Sequence, residues 1–285
     1  MGTPARYAVE GSFLEPCPPQ ERAPPSRPVV LSGCYLSTVE ILVARNLKNP
    51  EDGFGIQQVV LEEVASGERG PAALIWTSSR YVGATRSETR LPGFSDARRA
   101  VESSGFPVLV RNSGGGAVAA NEGSISISLT SPVEHLRQGL YERYAEGVEI
   151  VAAALRRLGV EAEGGEVEGE LCPGAHSVRS GGPRGLKHAG LAQRVTRRAA
   201  RLEALVLVSG TAELVPVLQR FYGALGLPFR PESVGDLPVG VPQVIEALEA
   251  EVRARRGGLE SPVGEDTLEK ARSLRGMWRA GDDKG

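Results

Sequence analysis

The chain has 285 residues, 41% of them hydrophobic and 24% charged, with a formal net charge of −2. This is the balance of a globular protein large enough for one large domain or two small ones. It gives no basic field for nucleic acid and no apolar run of about 18 residues that would cross a membrane. Only three cysteines are present, Cys17, Cys34 and Cys172. An odd, small number in a chain of this length points to a reducing cytoplasm rather than a disulfide scaffold.

Taken in chain order, residues 1–28 contain Pro4, Pro16, Pro18, Pro19, Pro24, Pro25 and Pro28 with little periodicity, and read as a proline-rich arm. The N-terminus lacks the apolar core of a secretory signal, and Arg6 stands where a myristoylation signal takes Ser or Thr. Residues 29–285 read as one domain with a helical C-terminal end. In DGFGIQQVVLEEVASG (52–67), Ile56, Val59, Val60 and Val64 fall at helical spacing. AALIWTS (72–78) and FPVLVRN (106–112) have strand character. SISISL (124–129) alternates strictly, with Ile125, Ile127 and Leu129 on one face, and predicts a half-buried strand.

Residues 139–160 predict a helix with Tyr144, Val148, Val151, Ala152 and Leu155 on one face, stopped at Gly159. GLAQRVT (190–196) and LEALVLVSG (202–210) return to strand pattern as a hairpin. Residues 212–226, 242–258 and 265–281 predict helices, with Pro216 expected in a first turn or at a kink. Strands in runs, with helices between and after them, predict an α+β fold: mixed, mostly antiparallel sheets with packed helices.

Two stretches carry chemistry. The first is RNSGGGAVAANEG (111–123), where Arg111 opens a run of Ser113, Gly114, Gly115 and Gly116. Such a run exposes backbone N–H donors to a ligand, and Arg111 adds a fixed positive fork. Gly114-x-Gly116-x-x-Ala119 fits a loose dinucleotide pattern, but the loop leads into a strand, not into a helix N-terminus that would hold a pyrophosphate. A plain glycine-rich turn is the other reading.

The second stretch is GELCPGAHSVRSGGPRGLKHAGLAQR (169–194). A lone cysteine is most often a small buried hydrophobe. Here Cys172 stands in a polar Pro-Gly turn, and Lys187 follows after a second turn that can fold back past it. A nearby ammonium would stabilise the thiolate over the thiol. A Cys-His dyad with His176 or His188 is a rival arrangement, and the spacings match no zinc site. Glu161, Glu163, Glu166, Glu168 and Glu170 precede the cysteine; Arg179, Arg184, Lys187, Arg194, Arg197, Arg198 and Arg201 follow it. These are either two solvated hairpin arms or a basic rim for an acidic partner.

Together the stretches resemble the lipoate-protein ligase, biotin ligase and octanoyltransferase superfamily. Arg111-Asn112-Ser113-Gly114-Gly115-Gly116-Ala117-Val118 resembles its Arg-x-Ser/Thr-Gly-Gly-Gly-Ala-Val loop. Cys172-Pro173-Gly174, followed by Lys187-His188-Ala189-Gly190-Leu191-Ala192-Gln193-Arg194, resembles its Cys-Pro-Gly … Lys-x-Ala-Gly-x-x-Gln-Arg segment. Ala119-Ala120 stands where the ligases commonly carry x-His. The cysteine and the VRNSGG form most resemble the octanoyl-[glycine-cleavage H protein]:protein N-octanoyltransferases.

The resemblance implies a biotin/lipoate ligase-like catalytic domain that moves an octanoyl group through a thioester on Cys172, with Lys187 as its partner. Donor and acceptor would be the H protein and the lipoyl domains of 2-oxoacid dehydrogenases, with no ATP, metal or organic cofactor. Arg111, Ser113, Gly114, Gly115, Gly116, Ala117, Val118, Ala189 and Gly190 are the expected substrate contacts, with Ala117 and Val118 as the expected wall of the acyl slot. An ATP-dependent lipoate-protein ligase and a transferase that takes octanoate from acyl carrier protein are the alternatives.

Overall fold

The computed structural model describes residues 38–281; the proline-rich arm, Cys17 and Cys34 lie outside them. The strands are β1 (Glu40–Leu47), β2 (Ala72–Ser78), β3 (Tyr81–Thr85), β4 (Val108–Arg111), β5 (Val118–Ala120), β6 (Ser124–Pro132), β7 (Glu163–Gly164), β8 (Ser177–Ser180), β9 (Leu186–Val195), β10 (Ala199–Leu207) and β11 (Leu259–Pro262). The helices are α1 (Pro50–Ser66), α2 (Phe94–Glu102), α3 (Leu140–Arg157), α4 (Thr211–Ala224), α5 (Val241–Arg256), α6 (Glu265–Ser273) and α7 (Arg275–Trp278).

One sheet of eight strands runs β11-β1-β2-β6-β10-β9-β8-β7, and a smaller one runs β4-β3-β5. In the large sheet only β1 pairs parallel, with β2 and β11; the rest is antiparallel. The mixed α+β reading therefore holds.

Alternation along the central strands sorts side chains to two faces. Ile75, Ile127 and Leu202 join Val151 and Leu155 of α3 and Leu248 of α5 in one core. Leu74 and Trp76 join Ile56 and Val60 of α1, with Trp278 of α7, in another. SISISL departs from the half-buried expectation. Ser124, Ser126 and Ser128 are buried too, because α1 packs across that face. Small hydroxyl side chains leave room for it, so polarity there reports close approach rather than solvent.

The helix expected over 265–281 breaks at Leu274 into α6 and α7. That break turns Trp278 into the core against Phe54, ring centroids 5.7 Å apart. Arg275 grips Asp52 with two 2.6 Å contacts. Pro216 lies inside an uninterrupted α4, past its first turn. The short β3, β5 and α2, and the whole of β1, have no counterpart among the expected elements.

The acidic and basic arms around Cys172 pair with each other. The antiparallel β7–β8–β9 ladder sets Arg179 3.0 Å from Glu163 and Lys187 2.9 Å from Glu170, and Arg184 lies 3.2 Å from Glu168. The basic rim is thus narrower than the charge run suggested, with Arg194, Arg197 and Arg198 left exposed.

Beside Lys187, His188 is buried, with Nε2 2.7 Å from the Ser180 hydroxyl and no partner at Nδ1. Burial pushes its pKa down to about 4. Between that value and the ordinary 6.5, the unfolded chain binds a proton that the folded chain refuses, so stability falls as the pH drops through this window. The loss should approach about 3 kcal/mol at full effect. Urea titrations at pH 7 and pH 4.5 should show it, and His188→Gln should flatten the difference.

Candidate active site

Cys172 lies in the segment between β7 and β8, with a left-handed φ of +44°. A non-glycine residue held there costs on the order of 1–3 kcal/mol, which the surroundings must offset. Tyr222, buried on α4, supplies part of the hold. The Cys172 N–H donates to its hydroxyl at 2.6 Å, and that hydroxyl donates to the Ala117 carbonyl at 2.8 Å. Burial raises the phenol's pKa far above its ordinary value, so it stays a neutral bridge.

The Ala117 N–H donates to Glu88 Oε1 at 2.7 Å. Glu88 Oε2 accepts from the Thr85 N–H and hydroxyl, both at 2.8 Å. One clasp thus fixes the glycine loop and the cysteine turn against each other.

Two donors face the sulfur. The Gly116 N–H lies 3.1 Å from Sγ, and Arg111 Nη2 lies 3.6 Å from it. Arg111 is almost fully buried at the end of β4. Its Nη2 donates to the Gly116 carbonyl at 2.6 Å and its Nη1 to Ser113 Oγ at 2.8 Å. The Ser113 hydroxyl donates to Glu203 on β10, whose carboxylate also lies 2.9 Å from Arg201. A guanidinium and an amide are thus both aimed at the sulfur.

Gly115 explains why the loop is a glycine run. Its φ is +96°, and a Cβ there would lie 2.7 Å from Sγ and 2.9 Å from Arg111 Nη2. Gly115→Ala should therefore cost about 1–3 kcal/mol and push the sulfur off its donors. Slower alkylation by iodoacetamide at neutral pH, measured against wild type, checks the displacement.

Lys187 comes to the cysteine, but not to its sulfur. Nζ donates to Glu170 Oε1 at 2.9 Å, to the Leu171 carbonyl at 2.8 Å and to the Cys172 carbonyl at 3.0 Å. An ammonium has three donors, and all are taken. Glu170 is itself buried and also accepts from Ser177 Oγ at 2.6 Å and the Val167 N–H at 2.9 Å. The expected ammonium beside Sγ is replaced by Arg111. The reason is Glu170, two residues before the cysteine, whose buried carboxylate draws the lysine.

An apolar cavity lies beside Cys172, which is one of its lining residues. Phe54, Trp76, Tyr81, Val118, Leu205 and Leu207 wall it, with Ala189, Gly190 and Ala192 along one side. Val118, Ala189 and Gly190, three of the expected contacts, are among the residues that line it. Ala117 is not, because its side chain packs into the core with Phe221 and Leu218. Gly114 and Gly115 line two further clefts, one shared with Arg86 and Arg194, the other with Tyr144 and His176.

Glu88, Glu170, Glu203 and Tyr222 complete the site and were not singled out in the sequence. Tyr222 sits at a core position of an amphipathic helix, where an aromatic ring is ordinary. The three carboxylates stand far from the residues they hold, or inside a charge run.

On this two-sheet frame a half-buried cysteine lies under two donors and lines an apolar cavity. The chain belongs to the lipoyl protein ligase A/B catalytic domain family, which it matches over residues 49–254. It is similar to an octanoyl-[GcvH]:protein N-octanoyltransferase of Bacillus velezensis, 31% identical over 61% of this chain and 60% of that one. It is also similar to one of Geobacillus kaustophilus, 29% identical over 62% of each. The matched segment thus spans about three fifths of the length of these curated relatives. Among solved structures, a lipoate-protein ligase A bound with ATP superposes with a TM-score of 0.68 at 18% identity, over 84% of this chain and 94% of that one. The Thermoplasma acidophilum ligase with bound lipoic acid gives 0.66 at 18% identity, over 84% and 95%. At that identity these two share the fold alone.

Proposed function

We propose that the chain is a cysteine-dependent octanoyltransferase of protein lipoylation. It takes an octanoyl group from the lysine of an octanoylated H protein and gives it to lysines of lipoyl domains. The observation that carries this reading is the Cys172 sulfur, held by the Gly116 N–H and Arg111 beside the apolar cavity. The names of the relatives supply the donor class. Sulfur attacks the octanoyl carbonyl, the donor amine leaves, and a thioester forms. An acceptor amine then attacks the thioester, and sulfur leaves under the same two donors. Seating about seven CH2 and CH3 groups in the cavity, at roughly 0.8 kcal/mol each, holds the chain and sets its length.

The role of Lys187 in this reading changes. It fixes the Cys172 turn through two carbonyls, and Arg111 takes over charge stabilisation. Arg111→Leu should therefore slow transfer about 100-fold, equivalent to the loss of one donor at a developing charge. Single-turnover transfer from octanoylated H protein to an apo lipoyl domain measures it. A rate within twofold of wild type would remove Arg111 from the mechanism.

A further inference from the structure

Acyl transfer to an amine needs a proton acceptor, and the obvious lysine is engaged. Lys187 has every N–H bonded and sits in a buried ion pair. Sγ itself is the leaving group. The acceptor must therefore be another group within reach of the thioester.

Cys172 lines two cavities. One is the apolar cavity already described. The second is a cleft lined by Cys172, Pro173, Gly174, Gly190, His176 and Tyr144. With the apolar cavity taken by the acyl chain, this cleft is the space beside the sulfur left for a carrier lysine. His176 lies on the cysteine's own segment, Cys172-Pro173-Gly174-Ala175-His176. Its ring stacks on Tyr144 of α3, centroids 3.7 Å apart and planes within 9°. That stack fixes the ring plane while leaving both nitrogens in the plane's edge with no hydrogen-bond partner within the described residues. Burial lowers its pKa below the ordinary value. The titratable or charged groups around the cleft are Cys172 on the same segment, Tyr144 from α3, Arg111 at the sulfur, and Glu203 of β10, whose charge reaches Tyr144.

We infer that His176 is the catalytic base for the amine half-reaction, and that the cleft it shares with Tyr144 is the entry path of the carrier lysine. The inference rests on the cysteine-transferase reading above. The lysine amine loses one proton to water and enters neutral between the Tyr144–His176 pair and the Gly114–Gly115 edge. Its nitrogen forms the C–N bond to the octanoyl carbonyl. The C–S bond breaks, and its electron pair stays on Sγ under Arg111 and the Gly116 N–H. The proton shed by the new amide nitrogen passes to the free imidazole nitrogen. In the donor half-reaction the imidazolium returns that proton to the departing amine. Atoms and charge balance without a further reactant.

The test separates nitrogen chemistry from ring packing and from thioester formation. Wild type and His176→Phe are loaded with the small thioester S-octanoyl-N-acetylcysteamine, whose thiol leaving group needs no proton from imidazole. Intact mass reads the adduct on each. The phenylalanine keeps the stack on Tyr144 and lacks the nitrogens. Expected is equal loading and equal cleavage by hydroxylamine, but transfer to an apo lipoyl domain slowed about 100-fold in His176→Phe. Its pH–rate profile should also lose the limb that the neutral imidazole gives. If His176→Phe transfers at the wild-type rate, or if amine and hydroxylamine reactions fall together, His176 is not the base. Failure of wild type to load at all, with a folded protein, overturns the thioester reading itself and this inference with it.

Discussion

Lys187→Met should destabilise the folded chain by about 3–5 kcal/mol, because it leaves the Glu170 carboxylate buried beside an apolar methyl. Both side chains are almost completely shielded, 2% and 0% exposed. The penalty belongs to the orphaned charge rather than to the lost attraction, since two ions taken from water together roughly cancel desolvation against Coulomb energy. A double variant, Glu170→Gln with Lys187→Met, should therefore recover more than half of the loss. Urea unfolding of the two variants measures this directly. A loss below about 1 kcal/mol in Lys187→Met would mean the pair is solvated and free to move, and the lysine would return as a candidate proton carrier. Lowered transfer by Lys187→Met would then need correction for folded fraction before any catalytic role is assigned.

Cys172→Gly should do two opposite things. Acyl transfer should drop by roughly 10⁴–10⁶-fold, the size of effect seen when a covalent nucleophile is removed. Stability should rise by about 1 kcal/mol, because the φ of +44° strains a cysteine and suits a glycine. Such opposition marks a residue kept for chemistry at the expense of the fold. A cysteine retained for packing would give the reverse: stability lost and transfer retained. Single-turnover kinetics with urea titration on the same preparation separates the two.

Much of the fold was legible because hydrophobic period tracks burial. AALIWTS matches β2 residue for residue, and the stripe from Tyr144 to Leu155 matches α3. What escaped was short or small. β5 is three residues inside a glycine-rich loop, and its Val118-Ala119-Ala120 offers little periodicity. α2 follows Gly93, and only Phe94, Ala97 and Val101 of it are buried. SISISL was misjudged on one face because alternation in polarity stands for alternation in exposure only where nothing packs on the polar side.

At the site, the sequence pattern singles out the two stretches that the fold brings together, but not how their side chains pair. The glycine loop and the Cys-Pro-Gly turn do meet at Sγ. Lys187 was close in sequence logic and wrong in detail, because a buried carboxylate two positions before the cysteine outcompetes a sulfur for an ammonium. Arg111, an expected substrate contact, lines the cavity and also turns its Nη2 to the thiol, while Ser113 and Glu203 hold its other end. Such side-chain choices depend on distances across strands, which no one-dimensional pattern records. Tyr222 shows the same limit: fifty residues beyond the cysteine, its hydroxyl joins the two halves of the site.

The most direct measurement is intact mass after incubation with octanoylated H protein and no ATP. One hydroxylamine-sensitive octanoyl adduct should appear on the wild-type chain, be absent from Cys172→Ala, and disappear when an apo lipoyl domain is added. Transfer at the wild-type rate by Cys172→Ala would contradict the account. So would an unlabelled chain that modifies lipoyl domains only with free octanoate and ATP, releasing pyrophosphate.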